Sequence, residues 1–146
     1  GMGFEINELI NNLEEFLGLN HIRKAVIVGA GRLGQALINY NGFENDINIM
    51  MAFDNDKSKC DNKKIFNINQ LENKIIENNI HIAIITVPAN NAQEVCDRLI
   101  KCGIEAIWNF APINLKVPEN IAIKNEDLST SLLVLLKMLE EKSNKS

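Results

Sequence analysis

The chain has 146 residues, 46% of them hydrophobic and 23% charged, with a formal net charge of −4. That suffices for one domain with a sizeable core and not for two. The acidic balance argues against this chain gripping nucleic acid by itself, and no apolar run approaches the ~20 residues that cross a bilayer. The three cysteines, Cys60, Cys96 and Cys102, are odd in number and form no Cys-x-x-Cys pair. Free thiols in a reducing cytoplasm follow, rather than a zinc site or a disulfide framework.

Residues 5–17 place Ile6, Leu9, Ile10, Leu13, Phe16 and Leu17 on one helical face, and Gly18 can end that helix. Standing before the first strand, it is either a docking or linking element or an ordinary helix on a sheet. The strand at 24–28 then runs into Gly29-Ala30-Gly31-Arg32-Leu33-Gly34, and a helix follows to about residue 41. Strand, Gly-x-Gly-x-x-Gly and helix in succession form the context of a dinucleotide fingerprint. Gly29 permits the tight turn, Gly31 lets the backbone approach a pyrophosphate, and Gly34 lets helix and strand pack closely. A second strand at 47–53 ends in Asp54, 20 residues after Gly34. A carboxylate there accepts hydrogen bonds from both ribose hydroxyls and repels a 2′-phosphate, which favours NAD(H) over NADP(H). Asp56 competes for the role, and either aspartate can instead be a turn residue.

Ile65 and Phe66 read as a short edge strand, and Leu71, Ile75 and Ile76 as a helix. The run 80–88 is almost continuously apolar, as in a parallel strand buried on both faces. Pro88 stops it. A helix at 90–101 carries Ala92, Val95, Cys96, Leu99 and Ile100, and Gly103 closes it. Strands at 104–108 and 120–124 follow. The alternation predicts an α/β fold, a Rossmann-like doubly wound parallel sheet. Its ligand rim gathers 29–34, Asp54, 86–88 and 109–112, and leaves His21 and His81 on the opposite rim. Residues 132–139 are apolar nearly all round a helix, so a partner subunit is the natural cover for the second side. Asp127, Ser129 or Thr130 would cap it. The chain divides into an N-terminal helix and linker (1–22), a dinucleotide-binding domain (23–126) and a C-terminal dimerisation helix and tail (127–146).

Several stretches are more specific than the glycines. Ile84-Ile85-Thr86-Val87-Pro88-Ala89, Ala92-Gln93-Glu94-Val95, Gly103-Ile104 and Asn109-Phe110-Ala111-Pro112 resemble the Rex family of bacterial redox-sensing transcriptional repressors. Gly29–Leu37, Tyr40, Phe43, Phe53-Asp54, Val117-Pro118-Glu119 and Asp127-Leu128 agree with it, so the likeness spans roughly residues 3–139. The resemblance implies a sensor of the NADH/NAD+ ratio without enzymatic turnover. It implies a homodimer in which the last helix swaps towards the partner. It also implies operator DNA bound only through a winged-helix domain not present in this sequence, and released when NADH binds.

Matched positions take roles accordingly. Gly29, Ala30, Gly31, Arg32, Leu33 and Gly34 would surround the pyrophosphate, and Asp54 the adenosine ribose. Thr86, Val87 and Pro88 would line the adenine and central pocket. Asn109, Phe110, Ala111 and Pro112 would lie near the nicotinamide, with Leu128 reaching into the partner's nicotinamide pocket. Tyr40 and Asp127 match the family's polar switch pair. Family members usually carry Asn where Arg32 stands, and Arg there can add a phosphate contact. The other readings are a CoA- or nucleotide-sugar-related binding domain, and a small NAD-dependent oxidoreductase fragment. The last lacks a Tyr-x-x-x-Lys pair or a suitably placed histidine.

Overall fold

Strand β1 (Arg23–Val28) is the centre of the molecule, and its last four residues are buried without exception. The computed structural model describes residues 5–10, 12, 22–43, 45–126 and 128–144. Strands β2 (Ile47–Asp54), β3 (Ile65–Asn67), β4 (Ile82–Ile85), β5 (Ala106–Asn109) and β6 (Ala122–Asn125) complete a six-stranded sheet. Its order is β3-β2-β1-β4-β5-β6 and every pairing is parallel. The chain therefore starts in the middle, works outward to β3, returns to β1's other flank and works outward again. This is the Rossmann-like doubly wound order, with its reversal between β1 and β4, where ligands bind in such sheets.

Alternation along the strands divides the core into two layers. Val26, Val28, Met51, Phe53, Ala83 and Ile85 face helices α2 (Leu71–Glu77) and α3 (Ala89–Lys101). Ala25, Ile27, Ile49, Ala52 and Ile84 face the other way, towards Leu37 and Ile38 of helix α1 (Arg32–Ile38) and the rings of Trp108 and Phe110. β1, β2 and β4 are thus buried on both faces, which is why their sequences are continuous apolar runs. All three cysteines are free thiols, and burial pushes the Cys96 thiol up to about 11.

Element boundaries differ from the sequence reading where backbone hydrogen bonds are diverted. α1 stops at Ile38 because Tyr40 N–H bonds Leu37 O, three residues back instead of four, and a 3₁₀ turn follows at Asn41–Phe43. β5 starts at Ala106 and not at 104, since Ile104 N–H is spent on Leu99 O behind Gly103. Ile80 is buried but not in the sheet; its N–H goes to Ile75 O.

Helix α4 (Leu128–Asn144) joins neither core layer. Leu132, Leu133, Val134, Leu135, Leu136, Met138 and Leu139 are all at least half exposed. The helical residues 5–10 are likewise exposed at Ile6, Leu9 and Ile10. Leu13, Phe16, Leu17, Gly18, His21 and Asp127 lie outside the described residues. Among the described residues, no helix is long and apolar enough to cross a membrane.

The β1–α1 turn is closed by contact. A Cβ on Gly34 would lie 1.9 Å from Gly29 O and 3.1 Å from Thr86 Oγ1. Gly29 itself has φ +110, a conformation that disfavours any side chain. Gly34→Ala is expected to lower unfolding free energy by roughly 1–3 kcal/mol in chemical denaturation, whereas Gly31→Ala leaves it unchanged.

Candidate functional site

Parallel register brings the site together. Val28 pairs with Phe53 and with Ile85, and Ile85 with Asn109. The residues that follow, Gly29, Asp54, Thr86 and Phe110, therefore stand side by side on one rim. The ladder continues through them: Gly29 N–H donates to Phe53 O at 2.7 Å, Thr86 N–H to Val28 O at 2.8 Å and Phe110 N–H to Ile85 O at 2.9 Å. Above this rim opens a cleft of about 730 Å³. Its floor is formed by Gly29, Gly31, Phe53, Thr86, Val87 and Pro88. Phe110 and Pro112 follow β5, and Asp54 and Ile68 stand at the ends of β2 and β3, on the other side of β1 and β4 in the sheet; Lys59 and one side of α3 line the cleft as well.

Asp54 is almost fully buried, yet it lines the cleft. Its Oδ2 accepts Ala30 N–H at 2.7 Å and its Oδ1 accepts Asp56 N–H at 2.8 Å. Two of a carboxylate's four lone-pair directions remain for ligand hydroxyls. Asp56 is turned to a different task. It accepts both the N–H and the hydroxyl of Ser58 at 3.0 and 2.7 Å, and these bonds hold its carboxyl below the usual carboxylate range. The glycine loop is tied down further by Thr86 Oγ1, which donates to Gly29 O at 2.9 Å, and by Gln35 Nε2, which donates to Ala30 O at 2.7 Å. Gln35 had no role in the sequence reading, although it directly follows the fingerprint.

Gly31 differs from its neighbours. Its φ of −75 and ψ of −161 are extended backbone that any residue adopts. A Cβ added there meets no protein atom within 4 Å, and the residue lines the cleft. Neither conformation nor packing demands glycine. The space a side chain would take is the space a ligand's phosphates would use, so the loop fits a pyrophosphate.

Comparison with known proteins agrees with this geometry. Residues 20–113 match the family model described as CoA binding domain. The redox-sensing transcriptional repressor Rex of Caldanaerobacter subterraneus subsp. tengcongensis is 42% identical over 97% of this chain and 65% of its own length. A crystal structure of the Rex-family repressor RSP in complex with β-NADH superposes with a TM-score of 0.81 and 40% identity, covering 94% of this chain and 69% of that one. The chain belongs to the Rex family. A second RSP structure, with β-NAD+ and operator DNA, gives a TM-score of 0.81 at 39% identity over 94% of this chain and 66% of that one. The present chain spans about 65% of the length of the Caldanaerobacter relative.

Other expected residues take distinct places in this Rex-family chain. Asn109 does not line the cleft. It is fully buried, and its Oδ1 accepts Ala111 N–H at 2.9 Å while Nδ2 donates to Ile113 O at 2.8 Å and Asn125 Oδ1 at 2.9 Å. A buried amide must satisfy its own groups first, so Asn109 shapes the turn that presents Phe110 and Pro112. Ala111 is packed into the core, and Ala30 is buried beneath the loop. Arg32 and Leu33 are exposed on the first turn of α1. Leu128, 60% exposed, does not line the cleft of its own chain. Tyr40 is exposed and meets Phe43 edge-on at 4.7 Å; Phe43 meets Trp108 at 5.8 Å, and Trp108 meets Phe110 at 4.7 Å. His81 stands at the opposite rim, its ring nitrogens 3.1 Å from Gly103 O and Asn79 Oδ1.

The sequence reading missed Ile68, Asn91, Glu94, Val95 and Arg98, all of which line the cleft. The last four share one helix face at spacing i, i+3, i+4, i+7, a signal present in the sequence but masked by α3's stronger apolar stripe. Arg98 pairs with Glu72 and holds the Glu72 carboxyl below its ordinary range. Among the described residues, no cluster of His, Cys, Asp or Glu could hold a metal. Asn109→Ala strands several buried polar groups at once and is expected to cost about 2–4 kcal/mol in urea unfolding, with the largest amide-exchange losses in residues 110–115.

Proposed function

We propose that this chain is the NADH/NAD+-sensing, dimerising regulatory portion of a redox-responsive transcriptional repressor. The observation that carries it is Gly31: a glycine required by neither backbone nor packing, opening on a cleft beside a buried carboxylate. The likeness to RSP, solved with β-NADH and with β-NAD+ and operator DNA, supports the same reading.

The roles follow from the chemistry of each residue. The dinucleotide supplies a nicotinamide that is cationic when oxidised and neutral when reduced. Gly31 gives the pyrophosphate room against the loop, Gly29 and Gly34 let β1, α1 and Thr86 pack closely enough to hold that loop in place, and the first turn of α1 offers unpaired N–H groups. Asp54 accepts the adenosine ribose hydroxyls and repels a 2′-phosphate. Thr86, Val87 and Pro88 hold the centre. Phe110 and Pro112 flank the nicotinamide, a largely apolar end that favours the neutral ring, because burying an unpaired charge is costly. Leu128 of a second copy adds to that apolar wall. The charged groups lining the cleft come from the end of β2 and the stretch after it, Asp54 and Lys59, and from α3, Glu94 and Arg98, and none from the residues after β5 that carry Phe110 and Pro112. That distribution suits a sensor rather than an oxidoreductase, whose acid or base must stand at the nicotinamide.

Dimerisation runs through α4. Burying each of its exposed leucines contributes about 1.5–3 kcal/mol, and its own domain provides no cover. Sensing requires that NADH favour one arrangement of the two subunits over the other. Tyr40 and Asp127 form the polar pair that distinguishes them. Operator DNA is met by a winged-helix domain outside these residues, in keeping with the net charge of −4. The free thiols fit a reducing cytoplasm. The CoA reading, which the matched family model favours, is weakened by Asp54, whose carboxylate would face the phosphorylated ribose of CoA.

Calorimetric titration tests this directly. NADH is expected to bind more tightly than NAD+ and not to be displaced by CoA. Gly31→Val is expected to abolish binding without lowering the melting temperature; unchanged NADH affinity in that variant would refute the site. Light scattering should report a dimer for the whole chain and a monomer after deletion of residues 127–146.

A further inference from the structure

The end of the cleft beyond Asp54 has a polar wall that takes no part in holding ribose or pyrophosphate. Arg98, near the end of α3, lines it. Its Nε donates to Glu72 Oε1 at 2.6 Å, and Nη2 donates to Glu72 Oε2 and to the Ile68 carbonyl, each at 2.9 Å. These bonds use three of the five guanidinium N–H donors. The two on Nη1 have no protein acceptor among the described residues.

An ordinary surface ion pair joins two mobile side chains and contributes little. This pair is built otherwise. Both carboxylate oxygens engage the fork, which fixes the guanidinium plane. The third bond anchors it to the backbone of Ile68, itself a lining residue. Ile68 and Val95 add apolar surface at the same end of the cleft, and Glu94 lies one turn before Arg98 on the same helix face. The end therefore combines apolar surface with a fixed donor and an acceptor. A ribose held by Asp54, at the end of β2, would carry its base towards β3 and Arg98, the side of the sheet away from β5.

We propose that Arg98, held flat by Glu72, is a specificity-determining residue that donates to N1 of the adenine ring, while Glu94 accepts the adjacent exocyclic amine. Glu72 is then a positioning residue. The inference rests on the dinucleotide reading of the cleft and adds to it how the base is chosen. Hypoxanthine reverses both groups, offering a donor at N1 and an acceptor at C6, and a site built to hydrogen-bond one pattern rejects the other.

The test uses three ligands: NADH, its reduced hypoxanthine analogue, and reduced nicotinamide mononucleotide, which lacks the adenosine half. The unaltered chain is expected to prefer NADH to the hypoxanthine analogue by about tenfold or more. Arg98→Met should weaken NADH about tenfold, erase the preference between the two dinucleotides and leave the mononucleotide unaffected. Glu72→Gln should do the same to a smaller degree. If Arg98→Met melts early, Arg98→Lys carries the comparison, since it keeps charge and stem but loses the fork. The proposal is overturned if the variants bind all three ligands as the unaltered chain does, or lose all three equally as a merely structural pair would. Failure of the unaltered chain to bind NADH overturns the dinucleotide reading itself, a separate result.

Discussion

The structure depends on how closely the start of α1 approaches the end of β1. Gly34 has no room for a methyl group against the Gly29 carbonyl, and Thr86 reaches over from β4 to donate to that same carbonyl. The β1–α1 turn and the end of β4, 57 residues further along the chain, are pinned at one point. Each strand end around it is then set by register, so that residues just beyond the sheet become neighbours. Asp54 completes the arrangement from the other side by accepting Ala30 N–H. The loop is held through its backbone at Gly29 and Ala30, which leaves Gly31 free to face the cleft.

This economy separates residues that build the site from residues that touch its occupant. Thr86, Gln35 and Asn109 spend their polar atoms on backbone groups of the surrounding turns. Gly31, Phe110 and Pro112 present surface instead. Preorganisation of this sort limits what binding must order, so more of the contact energy appears as affinity. The aromatic series from Phe110 through Trp108 and Phe43 to Tyr40 extends the same rigid packing from the cleft to the exposed side of the second core layer. A change at Phe110 therefore has packed neighbours to act on.

The terminal helix shows the opposite condition. It carries apolar side chains all round, and its own domain covers none of them. The energy that would stabilise it inside one chain is left for association. An interface is easier to shift between two states than a close-packed core, so an uncovered helix of this kind suits the sensing role proposed above.

Much of this was legible in the residues alone. The almost continuous apolar run at 80–88 announced a doubly buried parallel strand, because burial on both faces removes alternation, and strands were legible at 24–28 and 47–53. The Gly29–Gly34 spacing and an acid at the end of the next strand located the turn and Asp54, since those are local requirements of backbone and charge. The Rex-family motifs reached further than composition and periodicity could. Tertiary structure alone decided what each polar group does with its hydrogen bonds. It gave Asp54 the cleft and Asp56 the turn, although they stand two residues apart. It withdrew Asn109 into the core while leaving its neighbour Phe110 on the rim. It joined Glu72 to Arg98 across two helices. Such choices turn on which donor lies within about 3 Å of which acceptor, and that distance is fixed only when separate segments pack.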